Sequence, residues 1–208
     1  MSTKRRLTSK WKQIIYYQFS KNKDKNLLGF LIEKAKACNA NVRGVAFDMG
    51  NQVFLKELGI FSSINHSHPN PVNHNRKVFL FPDVPHSIKN LRNHILDDGM
   101  IYKPANGPDI KMGKEDFLKL LEVDSGDFLY CHKLTIEHIE VRGSERQRVR
   151  LATQLLSETS SKAMVHLLGP SYERKANIIA VIHKWFDAMN SRTKHDYKHV
   201  RCGFGRIL

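Results

Sequence analysis

The chain has 208 residues, enough for one large domain or two small ones, and 41% of them are hydrophobic. A formal net charge of +14 favours a polyanionic partner, most simply nucleic acid, although solubility alone also accounts for charge. The three cysteines are too far apart for a Cys-x-x-Cys metal motif or a disulfide framework, and no apolar run reaches the roughly 18 residues of a membrane span.

The first half of the chain is predicted to alternate between helices and strands. Hydrophobic residues recur at helical spacing over 27–37, and an alternating strand is predicted over 42–47. A short helix is expected over 52–58, and a second strand over 78–81 leads into a basic helix ending near Leu96. This alternation predicts an α/β layer.

The second half is predicted to be mostly α. After a polar loop at 104–113, one helix begins near Phe117, and a longer helix runs over 144–168 until Gly169 and Pro170 break it. A last helix carries an apolar stripe formed by Ile178, Ile182, Trp185 and Met189. We place a soft boundary at 100–113, which separates a domain at 1–103 from one at 114–208.

Asp83 begins the most informative stretch of the sequence. It directly follows the strand at 78–81 and precedes a helix that carries Lys89 and Arg92. A carboxylate at the carboxyl end of a strand, beside basic residues, can hold Mg²⁺ next to a phosphate backbone. The alternative is an ordinary helix N-cap.

Two basic groups are candidate DNA contacts, or else solvated faces. They are Lys89 with Arg92, and Arg146 with Arg150. Contacts of this kind would meet phosphates without reading sequence.

A polar loop carries three histidines, His66, His68 and His74, which raises the alternative of a zinc site. Because no cysteine lies nearby in the sequence, an exposed loop is favoured. Near the start of the chain, residues 4–6 are a weak nuclear signal or a solvated charge cluster.

Six blocks, taken in order over nearly the whole chain, resemble the central region of P-element-type transposases, the group that includes animal THAP-domain transposases. They lie at 11–17, 45–60, 81–93, 132–139, 149–157 and 185–192, and include Phe81-Pro82-Asp83-Val84-Pro85-His86. The resemblance implies a partial RNase-H-like α/β core followed by a helical GTP-binding insertion domain.

The resemblance also implies DNA cutting and joining by an Asp-Asp-Glu set with Mg²⁺, and GTP as a cofactor that is not hydrolysed. Asp83 matches the second catalytic Asp and is the implied metal ligand. We find no match to the first Asp, and the family's Glu follows the insertion domain, so we expect an incomplete catalytic set. Asp48 matches a different block, and we expect it to cap a strand-to-turn junction.

Eight positions match the family's nucleotide contacts: Asp127, Lys133, Arg148, Val149, Ser157, Phe186, Asp187 and Asn190. An Asp carboxylate can accept two parallel hydrogen bonds from a guanine edge, an aromatic ring can stack on the base, and Lys133 and Arg148 can meet phosphates. The alternative is that Phe186 lies in the core and Asp187 is a surface charge. No P-loop motif is present, so P-loop hydrolysis is not indicated.

The sequence leaves two functions open. The first is a transposase component that binds GTP and DNA in the nucleus, as a homo-oligomer or with a full-length transposase. The second is a non-enzymatic binding module or regulator derived from a transposase.

Overall fold

The computed structural model describes residues 2–5, 12–16, 25–47 and 67–190. The chain divides into two compact units, Met1–Asp83 and Val84–Leu208. This division lies earlier in the chain than the predicted boundary at 100–113, because the helix that follows Asp83 buries its apolar face in the core of the second unit. Within the described ranges, no helix is long and apolar enough to cross a membrane.

The described part of the first unit contains two small sheets and one helix. Strands β1 (Ser2–Arg5) and β2 (Lys12–Tyr16) pair antiparallel, and helix α1 spans Lys25–Ala37. Strands β3 (Gly44–Phe47), β4 (Ser67–Pro69) and β5 (Lys77–Pro82) form a sheet of order β3-β5-β4. In it, β3 runs parallel and β4 antiparallel to β5.

Strand β5 shows why this sheet forms. Its side chains alternate, and the buried Val78 and Leu80 pack with Leu28 and Ile32 of α1. The two predicted strands and the predicted helix are thus confirmed, as is the α/β layer, whereas the helix predicted at 52–58 lies outside the described residues. The backbone N–H of Asp83 donates to Phe47 O at 2.7 Å, which fixes Asp83 at the carboxyl end of β5.

The second unit is mostly helical, as predicted. Its helices are α2 (Val84–Asp97), α3 (Lys114–Val123), α4 (Val149–Leu155), α5 (Glu158–Leu168) and α6 (Glu173–Met189). Short 3₁₀ turns span Ile136–His138, Gly143–Gln147 and Pro170–Tyr172. One apolar core joins these helices, with Phe117, Leu155 and Ile179 fully buried.

A hairpin between α2 and α3 was not predicted from the sequence. Strands β6 (Met100–Tyr102) and β7 (Ile110–Met112) pair antiparallel around the polar loop. Each strand has three residues, too few to establish a clear alternation in the sequence.

The prediction of one long helix over 144–168 is wrong. The segment contains a 3₁₀ turn, then α4, and then α5 after a break at Leu156 and Ser157. Leu156 leaves helical geometry with ψ of 48°, and the Ser157 hydroxyl caps α5 by accepting from the N–H of Ser160 at 3.2 Å. Serine competes with helix continuation through such local bonds, which explains the break.

The last helix was predicted correctly, but its buried face is rotated from the predicted stripe. Ala176, Ile179 and Phe186 are buried, whereas Ile178, Ile182 and Trp185 are only partly buried at the edge of the same core. Met189, the last member of the predicted stripe, is exposed.

Candidate nucleotide site

The loop that carries Asp127 and Lys133 is held at its base by a buried carboxylate. Asp124 accepts from the N–H groups of Tyr130 and Cys131, both at 2.7 Å. Burial, reinforced by the Asp124 charge, raises the pKa of the Cys131 thiol to about 11, so this thiol stays protonated at neutral pH. Asp127 and Lys133 themselves are exposed.

The same loop lies along α5, from its first turn to its last. The Sγ atom of Cys131 is 3.9 Å from the carbonyl oxygen of Thr159, and the rings of Tyr130 and His166 are 5.4 Å apart. Lys133 therefore belongs to a segment packed on α5.

A chain of polar contacts connects this loop with the break between α4 and α5. His138 is buried; its Nδ1 accepts from the N–H of Thr135 at 3.1 Å, and its Nε2 lies 2.9 Å from Gln154 Oε1. Because Nδ1 is an acceptor, Nε2 carries the proton and donates to Gln154. The Gln154 carbonyl oxygen accepts from Ser160 Oγ, which lies 3.0 Å from Ser157 Oγ.

Helices α5 and α6 pack as an antiparallel pair, which brings the start of one beside the end of the other. Lys162 lowers the pKa of Glu158 by hydrogen bonding, and the charges of His183 and Lys184 lower it further. Glu158 opens α5, whereas His183 and Lys184 lie near the end of α6. Ser157 therefore lies at the same end of the pair as Asp187 and Asn190.

At the end of α6, the three predicted positions have different environments. The Asp187 side chain is 17% exposed, and its Oδ2 is 3.5 Å from His183 Nε2. Asn190 ends the helix, and its N–H donates to Phe186 O at 2.9 Å. Phe186 is only 8% exposed and packs in the core, so the expectation that its ring stacks on a base needs correction: its environment fits the alternative of a core residue.

Arg148 and Val149 stand at the start of α4. Arg148 is exposed and pairs with Glu145 Oε1 at 3.6 Å, and Val149 is partly buried against the core. A helix rises about 1.5 Å per residue, so the eight or nine residues that separate these positions from Ser157 correspond to roughly 12 Å. A nucleoside triphosphate can span that separation.

The four predicted DNA contacts do not share one environment. Arg150 is exposed, and Lys89 and Arg146 are partly exposed. Arg92 needs correction, because it is 0% exposed and its Nη2 donates to the backbone oxygen of Arg146 at 2.6 Å. Burial and the nearby Arg146 charge lower the Arg92 pKa. In this conformation Arg92 supports the fold and does not face a phosphate.

The described residues do not fit a magnesium or zinc site. Asp83 is exposed, and the described part of the chain contains no group of three or more His, Cys, Asp or Glu residues that could hold a metal ion. His68 lies in β4 and His74 in an exposed turn, whereas His66 lies outside the described residues.

Sequence reasoning missed three residues that hold the segments around these positions: Asp97, Asp124 and His138. Asp124 bonds six and seven residues along the chain, and Asp97 pairs with Arg146 across 49 residues, so no local pattern marks either of them. His138 did have a signal, since its spacing of three from Thr135 is that of a capping box.

Comparisons with known proteins identify the family of the chain. Residues 85–201 match the family described as TNP-like, GTP-binding insertion domain. The chain is 32% identical over 197 residues to the Transposable element P transposase of Drosophila melanogaster, covering 90% of this chain and 25% of that protein. It also matches the solved Drosophila P element transposase strand transfer complex with a TM-score of 0.74 and 29% identity, covering 89% of this chain and 42% of that chain.

The chain thus spans a quarter of the curated relative and less than half of the solved chain. The match over 85–201 coincides closely with the second unit, which begins at Val84. The chain belongs to the P-element-type transposase family and carries its TNP-like GTP-binding insertion domain.

Proposed function

We propose that this chain binds GTP through its insertion domain and DNA through its basic surface, as part of P-element-type transposition. The observation that carries the proposal is that Ser157, Asp187 and Asn190 lie at the same end of the α5–α6 pair, within the unit that matches the GTP-binding family.

Asp187 is suited to read guanine. Its partly exposed carboxylate can accept parallel hydrogen bonds from the N1–H and the 2-amino group of the base, and adenine offers no such pair of donors. His183, 3.5 Å away, helps to orient the carboxylate from the preceding turn of α6.

The phosphates would meet donors and cations at the other segments. The first turn of α5, capped by Ser157, presents backbone N–H groups, and a helix N-terminus favours anions. Lys133 and Arg148 are exposed cations. Without a P-loop motif to organise hydrolysis, we propose that GTP is bound as a structural cofactor.

A base-swap experiment tests the role of Asp187. In Asp187→Asn, the amide can donate to the C2 carbonyl of xanthine but cannot accept from both guanine donors. We expect GTP affinity to fall at least about tenfold and xanthosine triphosphate affinity to rise, measured by calorimetric titration. ATP should not bind the unmodified chain.

Asp109→Ala is the matched control, because Asp109 is an exposed carboxylate in the hairpin loop of the same unit. It should keep the affinity for GTP. Equal GTP binding by the Asp187→Asn chain and the unmodified chain would remove Asp187 from the guanine site.

For DNA, we propose that the surface formed by Lys89, Arg146 and Arg150 meets phosphates. The net charge of +14 supports this proposal, as does a relative solved in a strand transfer complex. Arg92 is left out of this surface because it is buried. We further propose that the chain works in the nucleus, and as an oligomer or beside a longer transposase.

Salt dependence tests the DNA surface. Fluorescence anisotropy with duplex DNA should show a log affinity that falls linearly with log salt, and Arg150→Gln should reduce that slope by about one phosphate contact. Asn177→Ala, at an exposed neutral position on α6, is the control and should leave the slope unchanged. An unaltered slope in Arg150→Gln would exclude this residue from the interface.

We propose that Asp83 belongs to the catalytic set, but that the chain does not cut DNA unaided, since a two-metal site needs several converging carboxylates. Acting alone, the chain would serve as a binding module. Plasmid DNA incubated with the chain and Mg²⁺ should therefore stay supercoiled. Nicking that disappears in Asp83→Asn would contradict this proposal and establish a competent nuclease.

A further inference from the structure

Helix α2 holds the Gly143–Gln147 turn through three side-chain contacts. Lys89 Nζ donates to Gln147 Oε1 at 3.0 Å, and Arg92 Nη2 donates to the backbone oxygen of Arg146 at 2.6 Å. The Arg146 guanidinium in turn donates two hydrogen bonds to the Asp97 carboxylate, one of them 3.1 Å long. We call these five residues the latch.

The latch includes a cation in an unfavourable place. Arg92 is fully buried, its Nε donates to Asn93 Oδ1 at 3.0 Å, and its Nη1 has no hydrogen-bond partner among the described residues. A buried, incompletely paired guanidinium costs stability. A residue with such a cost is more readily retained where it holds the backbone in a position that the function requires.

The geometry that the latch fixes is the entry into α4. Gln147 is followed directly by Arg148, whose N–H donates to Glu145 O at 2.9 Å while its backbone remains extended with ψ of 107°. Helix α4 then begins at Val149. The direction in which Arg148 leaves the turn therefore depends on where α2 holds that turn.

We propose that the latch positions Arg148 for the phosphates of GTP, so that Arg92, Asp97 and Arg146 are positioning residues of the nucleotide site. This inference rests on the proposed GTP binding and deepens it. The Arg146 guanidinium lowers the pKa of Asp97 by hydrogen bonding, so the carboxylate remains charged and the contact persists at neutral pH.

Two neighbouring carboxylates provide a matched test. Asp97 contacts the turn, whereas Asp98, the residue that follows α2, pairs with His94 of that helix at 3.1 Å. Asp97→Asn should weaken GTP binding about threefold to fivefold, the range expected for a partly exposed ion pair, and Asp98→Asn should not change it. Circular dichroism melts of both variants check that each chain is folded.

A second readout separates positioning from general loosening of the fold. Guanosine lacks phosphates, so its affinity in competition with a fluorescent GTP analogue should be the same in Asp97→Asn and the unmodified chain. The double variant Asp97→Arg with Arg146→Asp, which exchanges the two charges, should recover most of the GTP affinity lost in either single change.

The outcomes distinguish this inference from the proposed function. If the unmodified chain binds GTP and Asp97→Asn binds it equally well, the latch proposal is overturned and GTP binding stands. An equal loss for guanosine and GTP would also overturn it, because the contact would then serve only the fold. If the unmodified chain binds no GTP, both proposals fail.

Discussion

A hydrogen-bonded path through buried His138 connects the segments that carry the candidate site. From Thr135 it passes to Gln154 and ends at the Ser160 and Ser157 hydroxyls, so it joins a loop, the end of α4 and the start of α5. Both ring nitrogens are bonded, which avoids the roughly 1–3 kcal/mol cost of a buried unpaired group. This path thus holds the loop, the end of α4 and the first turn of α5 together at the break between the two helices.

The candidate nucleotide site follows from that break. A continuous helix would carry its N–H groups in internal bonds, whereas the interruption at Ser157 creates a new helix start with free donors. The antiparallel packing of α6 then brings Asp187 to the same end. At the other end of α4, the contacts between α2 and the Gly143–Gln147 turn fix the position of the backbone that leads into Arg148. The proposed contacts to the base, the proposed contacts to the phosphates and the residues that support them thus come from separate segments of one compact unit.

Much of the secondary structure could be predicted from the sequence, because the spacing of apolar residues is a local signal. The strand at 78–81, the helix after Asp83 and the break at Gly169 were all predicted from neighbours in the chain. The sequence could not show that Arg92 is buried, since Arg92 and Lys89 look alike in a basic helix and only contact with Arg146, 54 residues later, separates them. Phe186 and Asp187 are adjacent in sequence, yet one lies in the core and the other is partly exposed, a difference set by the rotation of α6.

Hydrogen–deuterium exchange with and without GTP tests most directly whether one nucleotide engages these separate segments. The account predicts that GTP slows exchange in three places: the loop around Lys133, the stretch from Arg148 to the first turn of α5, and the end of α6. Helix α1 of the first unit should be unchanged and serves as the internal reference. Saturating GTP that leaves those three segments unprotected, or protects only the first unit, would contradict the placement of the site.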